Sequence, residues 1–469
     1  MVGNDASGGH YDVAVIGTGP GGYVAAIRAA QLGLRVVATE REHFGGICLN
    51  HGCIPTKALL RSSELLHTMR HSGVFGINAT AVEPDLEAMV KRSRQVAAQL
   101  NGGIKMLLGR NGIDTVWGEA TLTGRGQIRV RTDSGPVDIE AASVVIATGA
   151  RARTIPDIEA DGERIWTYRH ALQPPHMPDR LLVIGSGAIG IEFASFYNTL
   201  GANTTVVEIL PTILPTEDAE IAEFARRQFT GQGMTLLTDS SVKTLTRCKG
   251  GLEAVIRSGD EIQTHNFDTV ILAVGITGNV ESIGLEEIGI ATDRGHIVTD
   301  DHCRSSVDGH YAIGDVAGPP WLAHKASHEG VMVAELIAGA NPHPIRPEQI
   351  AGCTYSMPQI ASIGLTESQA LERGRSIKIG RFPFIGNGKA IALGDAEGLI
   401  KTLFDAETGE LLGAHMIGTD VTELIQGYII ARSLESTEQE LIRTVFPHPT
   451  LSEMMHESVL HAYGRAIHI

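Results

Sequence analysis

Two cysteines lie close together near the start of the chain and could form a redox-active disulfide. Cys48 and Cys53 are separated by four residues, and Pro55 follows the second of them. Proline is tolerated in the first turn of a helix, so we expect Cys53 near a helix N-terminus, where the dipole favours a thiolate. The irregular run before Gly52 would let Cys48 fold back to disulfide distance. Lys57 would then place its charge one helical turn beyond Cys53.

These residues alone leave other interpretations of the cysteine pair open. The two could be buried cysteines at a helix start, with Lys57 as a solvated side chain. Metal ligation is disfavoured, because no matching Cys/His pair follows at the spacing of a zinc site. The other three cysteines are scattered along the chain, so we do not expect the disulfide framework of a secreted protein. They are Cys248, Cys303 and Cys353.

A histidine near the C-terminus is a second candidate for chemistry. His448 precedes Pro449, which predicts a helix start, and Glu453 would lie in the first turn of that helix. A carboxylate that fixes the tautomer of an imidazole makes the histidine a competent general base. The alternative is a surface histidine beside an acid that only favours the helix dipole.

A glycine-rich turn follows a short apolar stretch at two places, which predicts two nucleotide-binding units. The first glycine of such a turn permits a tight bend, the second admits a pyrophosphate, and the third lets helix and strand pack closely. In each unit an acid follows the first glycine by 23 residues and could accept hydrogen bonds from a ribose. The residues are Gly17, Gly19, Gly22 and Glu40 in the first unit, and Gly185, Gly187, Gly190 and Glu208 in the second.

The acid of the second unit predicts which nucleotide binds there. A carboxylate at Glu208 would repel a 2′-phosphate, whereas an arginine would accept it. We therefore expect NAD rather than NADP in the second unit.

Three further apolar stretches end in glycine, as expected where the end of a strand meets a ligand. They end at Gly149, Gly275 and Gly314. Their order around the second glycine-rich unit indicates that one domain is interrupted by another. Prolines at positions 174, 175 and 178 are interpreted as a linker before the second unit.

Length and composition predict a soluble α/β protein of about three domains. The chain has 469 residues, of which 43% are hydrophobic and 55 are glycine, and no apolar run is long enough to span a bilayer. The first ten residues lack the basic and apolar regions of a signal peptide, so we expect a cytoplasmic location. A formal net charge of −16 disfavours nucleic acid and anionic membranes as partners.

With these motifs, the chain resembles the dihydrolipoyl dehydrogenases, a family of flavoprotein disulfide oxidoreductases. The resemblance begins near Tyr11 and reaches the C-terminus, and its most specific segments are 46–57, 322–330 and 448–453. It implies an α/β fold with two Rossmann-like dinucleotide-binding domains and a C-terminal α+β dimerisation domain. The implied divisions are an FAD-binding domain (1–152), an inserted NAD-binding domain (153–275), a central segment completing the FAD domain (276–348) and a dimerisation domain (349–469).

The resemblance also implies roles for the candidate residues. Cys48 would be the sulfur that exchanges with substrate, and Cys53 the sulfur that faces the flavin. His448, oriented by Glu453, would be the base and would act on the active site of the partner subunit in a homodimer. Lys57 would lie near flavin N5, paired with Glu192. The residues that would bind FAD are Gly17, Gly19, Gly22, Glu40, Asp315 and Ala323. Those that would bind NAD are Gly185, Gly187, Gly190, Glu208 and Gly275. Thr148, Gly149 and Lys57 would also lie beside a cofactor.

The implied activity is the oxidation of protein-bound dihydrolipoamide to lipoamide with NAD⁺. The implied partners are the lipoyl domain and the subunit-binding domain of a 2-oxo-acid dehydrogenase acyltransferase; glycine cleavage systems use very similar enzymes. Three departures from many relatives stand out, and none removes a reacting group. They are Ile47 in place of threonine, Phe446 in place of histidine, and Ile276–Asn279 in place of an arginine-containing turn.

Two alternative functions remain at this stage. A related reductase acting on glutathione, trypanothione or mercuric ion would share the cysteine pair. Its NADP-dependent members favour a basic residue where Glu208 stands, and its mercury-reducing members add a cysteine pair beyond the last cysteine here, Cys353. A flavin-binding scaffold without turnover would need only the cofactor glycines.

Overall fold

The chain folds into two compact units, each assembled from separate segments. The structure is a computed structural model that describes residues 9–469. The expectation about a signal peptide therefore falls largely on Met1–Gly8, outside the described residues. The first unit comprises the chain up to Ala58, Glu87–Arg153 and Gly275–Arg346; the second comprises Leu59–Leu86, Thr154–Val274 and Pro347–Ile469.

A seven-stranded sheet forms the centre of the first unit. The strand His10–Ile16 pairs in parallel with Val36–Glu40 on one side and with Gly135–Ile146 on the other. The carboxyl ends of these parallel strands meet at one edge, where ligands bind in open α/β sheets. In order across the sheet the strands are Asp114–Trp117, Val36–Glu40, His10–Ile16, Gly135–Ile146, Gln127–Thr132 and Glu119–Gly124, with His310–Ala312 also paired to Gly135–Ile146.

Helices cover this sheet, and two of them approach closely through glycines. A Cβ on Gly330 would lie 2.5 Å from the carbonyl oxygen of Gly21, so only glycine permits this contact between helices. The boundary between the two units falls within one helix, after Ala58. The helices are Pro20–Gln31, Gly46–His51, Cys53–Arg70, Leu86–Arg110, Leu285–Ile288 and Ala323–Ile337. Two short two-stranded sheets complete the unit: Ala150–Ala152 pairs with Ile276–Gly278, and Thr292–Asp293 pairs with His296–Ile297.

The second unit contains a parallel sheet built in the same way. Its strands, in order, are Thr235–Leu237, Asn203–Val207, Arg180–Ile184, Thr269–Leu272 and Ile165–Trp166. The strand Ile165–Trp166 already belongs to this sheet, so the interpretation of the prolines at 174, 175 and 178 as a linker is wrong. A strand of two residues is too short to give a sequence pattern. The accompanying elements are the helices Tyr168–Ala171, Ala188–Leu200 and Ala219–Gly231 and the antiparallel strands Ser240–Cys248, Gly251–Ser258 and Glu261–Phe267.

The C-terminal part of the second unit is an antiparallel sheet with helices. The last helix, Glu453–Ala462, packs closely on this sheet, because Gly380 leaves room for the carbonyl oxygen of Ser458. In order, the strands are Gly352–Thr354, Gln359–Gly364, Leu411–Gly418, Leu399–Asp405 and Ile377–Pro383. The remaining helices are Glu367–Glu372, Gly388–Leu393, Val421–Leu424, Gln426–Ser433 and Glu438–Arg443.

The predicted fold class is confirmed. Two sheets with parallel strands at their centres, flanked by helices, are followed by an α+β region formed from about the last quarter of the chain. Within residues 9–469, every helix is either too short or too polar to cross a membrane.

Candidate active site

A disulfide joins Cys48 to Cys53, with their Cα atoms 4.8 Å apart. Cys53 is the first residue of the helix Cys53–Arg70, so the predicted helix start is confirmed. The expected irregular run is instead a short helix, Gly46–His51, which ends at Gly52. A break between two helices, rather than a loop, therefore brings the two sulfurs together.

The helix that carries Cys48 begins in contact with the first glycine-rich turn. The N–H of Gly45 donates to the carbonyl oxygen of Thr18 at 2.9 Å. A Cβ on Gly46 would lie 2.7 Å from the Cα of Gly19, so the backbone can approach this closely only through glycine. Gly45 and Gly46 both adopt positive φ angles, 83° and 59°, which glycine tolerates without strain. The disulfide is thereby anchored beside the predicted FAD turn.

The disulfide helix is held in place by its own Asn50 and by two polar side chains of the long helix Leu86–Arg110. The side-chain amide of Asn50 donates to the carbonyl oxygens of Phe44 and Gly46, each at 2.9 Å. Arg94 donates to the carbonyl oxygen of Asn50 at 2.6 Å, and Asn101 donates to that of Phe44 at 2.9 Å. Sequence reasoning missed this support, because residues so far apart in the chain give no local signal.

Both glycine-rich turns place glycine where a side chain would collide with backbone. A Cβ on Gly22 would overlap the carbonyl oxygen of Gly17, and a Cβ on Gly190 would overlap that of Gly185. Gly17 and Gly185 also adopt φ angles of 95° and 102°, which favour glycine. The sequence assigned these positions to tight turns and close helix packing, and the geometry agrees.

The middle glycine of each turn faces open space. A Cβ on Gly187 would have no neighbour within 4 Å, and one on Gly19 would meet only the Cα of Gly46, at 4.0 Å. Helices begin directly after these glycines, at Pro20 and at Ala188. Free N–H groups at a helix N-terminus favour phosphate, so both turns fit the pyrophosphate of a dinucleotide.

The acid at the end of each unit is held in the same way. One carboxylate oxygen of Glu40 accepts from the N–H of Thr18 at 2.9 Å and from its hydroxyl at 2.6 Å. Glu208 accepts from the N–H and hydroxyl of Ser186 at 2.9 and 2.7 Å. Each hydroxyl residue precedes its acid by 22 residues, and this repeated spacing is a sequence signal for the contact. A ribose would meet a carboxylate that is already oriented.

A buried ion pair holds the turn that carries Asp315. The ammonium of Lys325 lies 2.9 Å from one carboxylate oxygen of Glu329, and the other oxygen accepts from the N–H of Gly314 at 2.7 Å. Lys325 also donates to the carbonyl oxygen of Gly318 at 3.2 Å. Both side chains project from the helix Ala323–Ile337, whose first residue is the predicted cofactor ligand Ala323.

The carboxyl of Asp315 is half-buried and feels the charge of Lys325. Desolvation raises its pKa, an effect that the charge of Lys325 partly counters. A desolvated carboxylate gains stability from hydroxyl donors, such as those of a ribityl chain. The role of Asp315 that the resemblance implies stays a prediction.

We expect Glu329→Gln to destabilise the fold by about 3–5 kcal/mol, because it leaves the buried ammonium of Lys325 without a counter-charge. The glutamine oxygen can still accept from Gly314, so the variant removes the charge and keeps the acceptor. Urea unfolding of the apoprotein, followed by tryptophan fluorescence, measures the change.

The double variant Lys325→Met with Glu329→Gln serves as the control for that change. Removing both charges should restore part of the lost stability, since the unpaired ammonium is gone, although Asp315 also loses the nearby charge of Lys325. Equal unfolding midpoints for Glu329→Gln and the wild-type chain would contradict the proposed importance of the ion pair.

The predicted ligand residues Thr148 and Gly149 are bonded to one of the departures from the family pattern. The hydroxyl of Thr148 donates to the carbonyl oxygen of Asn279 at 2.8 Å, and the Asn279 side chain returns a bond to Thr148 at 2.9 Å. The N–H of Asn279 donates to the carbonyl oxygen of Gly149 at 2.9 Å. The strand Ile276–Gly278 precedes this contact, and Gly275, with φ 103°, precedes the strand. Asn279 therefore stabilises the backbone at Thr148 and Gly149, two residues predicted to bind a cofactor.

The C-terminal histidine and its acid form the predicted pair. The Nδ1 atom of His448 lies 3.0 Å from one carboxylate oxygen of Glu453, and the N–H of Thr450 donates to the other at 2.9 Å. The helix begins at Glu453 rather than at Pro449, so that boundary was predicted four residues too early. Residues 449–452 form a turn in which Thr450 bonds to both Pro447 and Glu453.

The acid of this pair stays ionised, and its histidine faces solvent. Burial would raise the pKa of Glu453, but the hydrogen bonds from Thr450 and His448 hold it below its ordinary value. The ionised carboxylate favours a proton on Nδ1 of His448 and so leaves Nε2 free to accept one. The side chain of His448 is 80% exposed in this chain.

Two further predicted site residues lie where the sequence placed them. Lys57 follows Cys53 by one turn of the same helix. Glu192 is buried in the helix Ala188–Leu200 and accepts from the N–H of Tyr355 at 2.9 Å. The pairing of Lys57 with Glu192, and the action of His448 on a disulfide, stay predictions.

Comparison with protein families places nearly the whole chain in one group. The family described as pyridine nucleotide-disulphide oxidoreductase matches residues 11–330. The dimerisation domain of the same family matches residues 350–459, which supports assembly as a homodimer.

Relatives of known name are similar over their full length. The chain is 54% identical to dihydrolipoyl dehydrogenase of Zymomonas mobilis, covering 98% of this chain and 99% of that protein. It is also 54% identical to dihydrolipoyl dehydrogenase of Rhizobium etli, covering 97% and 99%. Among solved structures, LpdA of Mycobacterium tuberculosis superimposes with a TM-score of 0.90 at 28% identity, covering 95% of this chain and 98% of that one.

Proposed function

The chain belongs to the dihydrolipoyl dehydrogenases of the pyridine nucleotide-disulphide oxidoreductase family, and from this membership we propose how its residues carry out the family reaction. It is an NAD-dependent flavoprotein disulfide oxidoreductase that converts dihydrolipoamide to lipoamide, with FAD and NAD as cofactors. The observation that carries the proposal is the Cys48–Cys53 disulfide, held against the glycine-rich turn at Gly19.

The cofactors fit the two glycine-rich units. FAD would lie along the turn Gly17–Gly22, with its ribose at Glu40 and its ribityl chain near Asp315. NAD would lie along the turn Gly185–Gly190. When bound, FAD would supply the electron acceptor for the reduced sulfur pair and the hydride donor for NAD⁺.

The two cysteines exchange bonds with the two thiols of the substrate. A substrate thiolate attacks the sulfur of Cys48, which forms a mixed disulfide and releases Cys53 as a thiolate. The second substrate thiol then displaces Cys48, so that lipoamide leaves with a closed disulfide and both cysteines are reduced. Cys53 lies at a helix N-terminus, and the positive end of the dipole there stabilises its thiolate.

His448 is proposed as the base that removes the substrate proton. Its Nδ1 is bonded to Glu453, so Nε2 carries the free lone pair. The imidazole is exposed on its own subunit, which suits a base that acts on the disulfide of a partner in the homodimer.

The domain boundaries are part of the proposal. We place the FAD-binding domain at 1–152, the NAD-binding domain at 153–275, the central segment at 276–348 and the dimerisation domain at 349–469. The family match over residues 11–330 and the dimerisation match over 350–459 support this division. So does the change from one compact unit to the other after Arg153 and after Val274.

The substrate group is proposed to arrive on another protein in the cytoplasm. We assign this carrier as the lipoyl domain of a 2-oxo-acid dehydrogenase acyltransferase, whose basic subunit-binding domain would suit a chain of net charge −16. Purification of the native protein with its associated subunits, followed by identification of a bound acyltransferase, tests this assignment.

Reduction of NAD⁺ by dihydrolipoamide tests the proposed activity directly. The purified holoenzyme should reduce NAD⁺ with this dithiol, and it should not oxidise NADPH with glutathione disulfide. Flavin bleaching by NADH without any thiol turnover would instead support a scaffold that binds flavin but does not catalyse.

We expect kcat/KM for NAD⁺ to exceed that for NADP⁺ by about 100-fold or more, because a like charge at the 2′-position costs several kcal/mol. The carboxylate of Glu208 is buried and fixed by Ser186, so it cannot turn away from a phosphate. Steady-state kinetics with each nucleotide measure the ratio.

Glu208→Gln should reduce the preference for NAD⁺, since the amide carries no charge. The exposed Glu253→Gln, in the same unit, is the matched control and should leave the preference unchanged. Equal kcat/KM values for the two nucleotides in the wild-type enzyme would contradict the assignment.

A further inference from the structure

Three potential metal ligands cluster beside the disulfide helix. Within residues 9–469, Glu42, His43 and His51 are the one group in which three or more such residues each offer a ligand atom within 4.8 Å of the others. The Nε2 of His51 lies 3.8 Å from a carboxylate oxygen of Glu42, and the rings of His43 and His51 are 5.4 Å apart. The proposed reaction uses none of the three.

The backbone that presents these ligands is fixed. The N–H groups of Glu42 and His43 both donate to the carboxylate of Glu40, at 2.8 and 3.3 Å. The carbonyl oxygen of His43 accepts from the N–H of Gly46 at 3.0 Å. His51 ends the helix Gly46–His51, which Asn50 and the long helix hold in place. The three ligand atoms already lie within 4.8 Å of one another on this backbone.

The ligand set selects the kind of ion. Two imidazoles and a carboxylate suit Zn²⁺ and similar transition metals, whereas Ca²⁺ and Mg²⁺ prefer oxygen ligands. Zinc bonds of about 2.0–2.2 Å place tetrahedral ligand atoms about 3.3 Å apart. The ligand atoms of this cluster now lie up to 4.8 Å apart. The side chains of Glu42 and His43 are exposed, so they can move closer to the more buried His51.

We propose that Glu42, His43 and His51 bind one divalent transition-metal ion of the zinc type, with water at the fourth position. The ion would link the loop after strand Val36–Glu40 to the end of the helix that carries Cys48. It would therefore hold the disulfide bend without using either sulfur as a ligand. The site does not depend on the proposed function of the chain.

Zinc titration of the oxidised holoenzyme tests this site. The intact disulfide keeps Cys48 and Cys53 from acting as ligands, and Cys248→Ser removes the exposed free thiol. Zn²⁺ is titrated at about pH 7.5 against a chromogenic chelator. We expect one tight equivalent per chain.

Replacement of each ligand should weaken that equivalent. Loss of a residue that only hydrogen-bonds to a metal ligand already weakens metal binding about 10–100-fold, so His43→Ala and His51→Ala should each weaken it by more than about tenfold. His10→Ala is the matched control, because His10 lies 3.5 Å from Glu140 without a third ligand. An unchanged flavin absorbance ratio shows that each variant is folded, and His43→Ala alters only an exposed side chain.

Two results would overturn the proposal. One is the absence of a tight equivalent in the wild-type chain, or its survival in both His43→Ala and His51→Ala. The other is loss of binding on replacing His67 and His71, whose rings lie 4.2 Å apart on another segment. That result would assign the metal to this second histidine pair.

Discussion

Replacement of Cys48 by serine should lower dihydrolipoamide-dependent reduction of NAD⁺ by about 10³-fold or more, because the variant has no sulfur for the substrate to attack. Reduction of a dye by NADH should remain, since it needs the bound cofactors but not the exchange of sulfur bonds. Serine is close to cysteine in size, and the helix Gly46–His51 is held by backbone contacts to the glycine turn. The variant should therefore fold and keep its flavin.

Two other variants distinguish the role of Cys48 from a general effect of losing a thiol. Cys248→Ser removes an exposed cysteine outside the disulfide and should leave both activities unchanged. Cys53→Ser should also abolish lipoamide turnover, but it leaves Cys48 as a free thiol that iodoacetamide can alkylate. Full lipoamide activity in Cys48→Ser would remove the basis of the proposed sulfur exchange.

The sequence was sufficient to predict the parts of the site that depend on local spacing. The two glycine-rich turns, the acids that follow them and the helix start at Cys53 are set by residues close together in the chain. Positions 22 and 190 require glycine because of contacts with residues only a few positions earlier in the chain. A short stretch of sequence is therefore enough to predict these glycines' role. The fold class follows from the same patterns.

The parts that the sequence did not predict depend on contacts between distant segments. Arg94 and Asn101 support the disulfide helix from more than forty residues away. The ion pair of Lys325 and Glu329 is an ordinary i,i+4 pair until folding buries it against the turn of Gly314. The start of the last helix is an exception to this rule, because it was placed too early on account of a local contact: the turn at Thr450 uses the Glu453 carboxylate before the helix begins.

These distant contacts have one effect in common. They fix the backbone around the disulfide and around Asp315, two segments that follow parallel strands of the same sheet. A thiol exchange needs an attacking sulfur aligned with the disulfide, and a rigid disulfide allows the substrate alone to adjust.

Replacement of His448 by glutamine should lower kcat/KM for dihydrolipoamide by about 10²–10⁴-fold, the usual contribution of a positioned general base. Glutamine can still bond to Glu453 but cannot take a proton from a thiol. NADH-dependent dye reduction should not change, because it requires no proton from a substrate thiol.

A second His–Glu pair in the same unit provides the control for this variant. His468 lies 2.7 Å from Glu457, much as His448 lies 3.0 Å from Glu453, so His468→Gln tests whether losing any such pair is harmful. Glu453→Gln should cost less than His448→Gln, because the base remains and only its orientation and charge partner are lost. The double variant His448→Gln with Glu453→Gln should be no slower than His448→Gln alone, since Glu453 acts only through the histidine. If the two effects instead multiplied, Glu453 would have a role of its own and the proposed orientation of the base would be wrong.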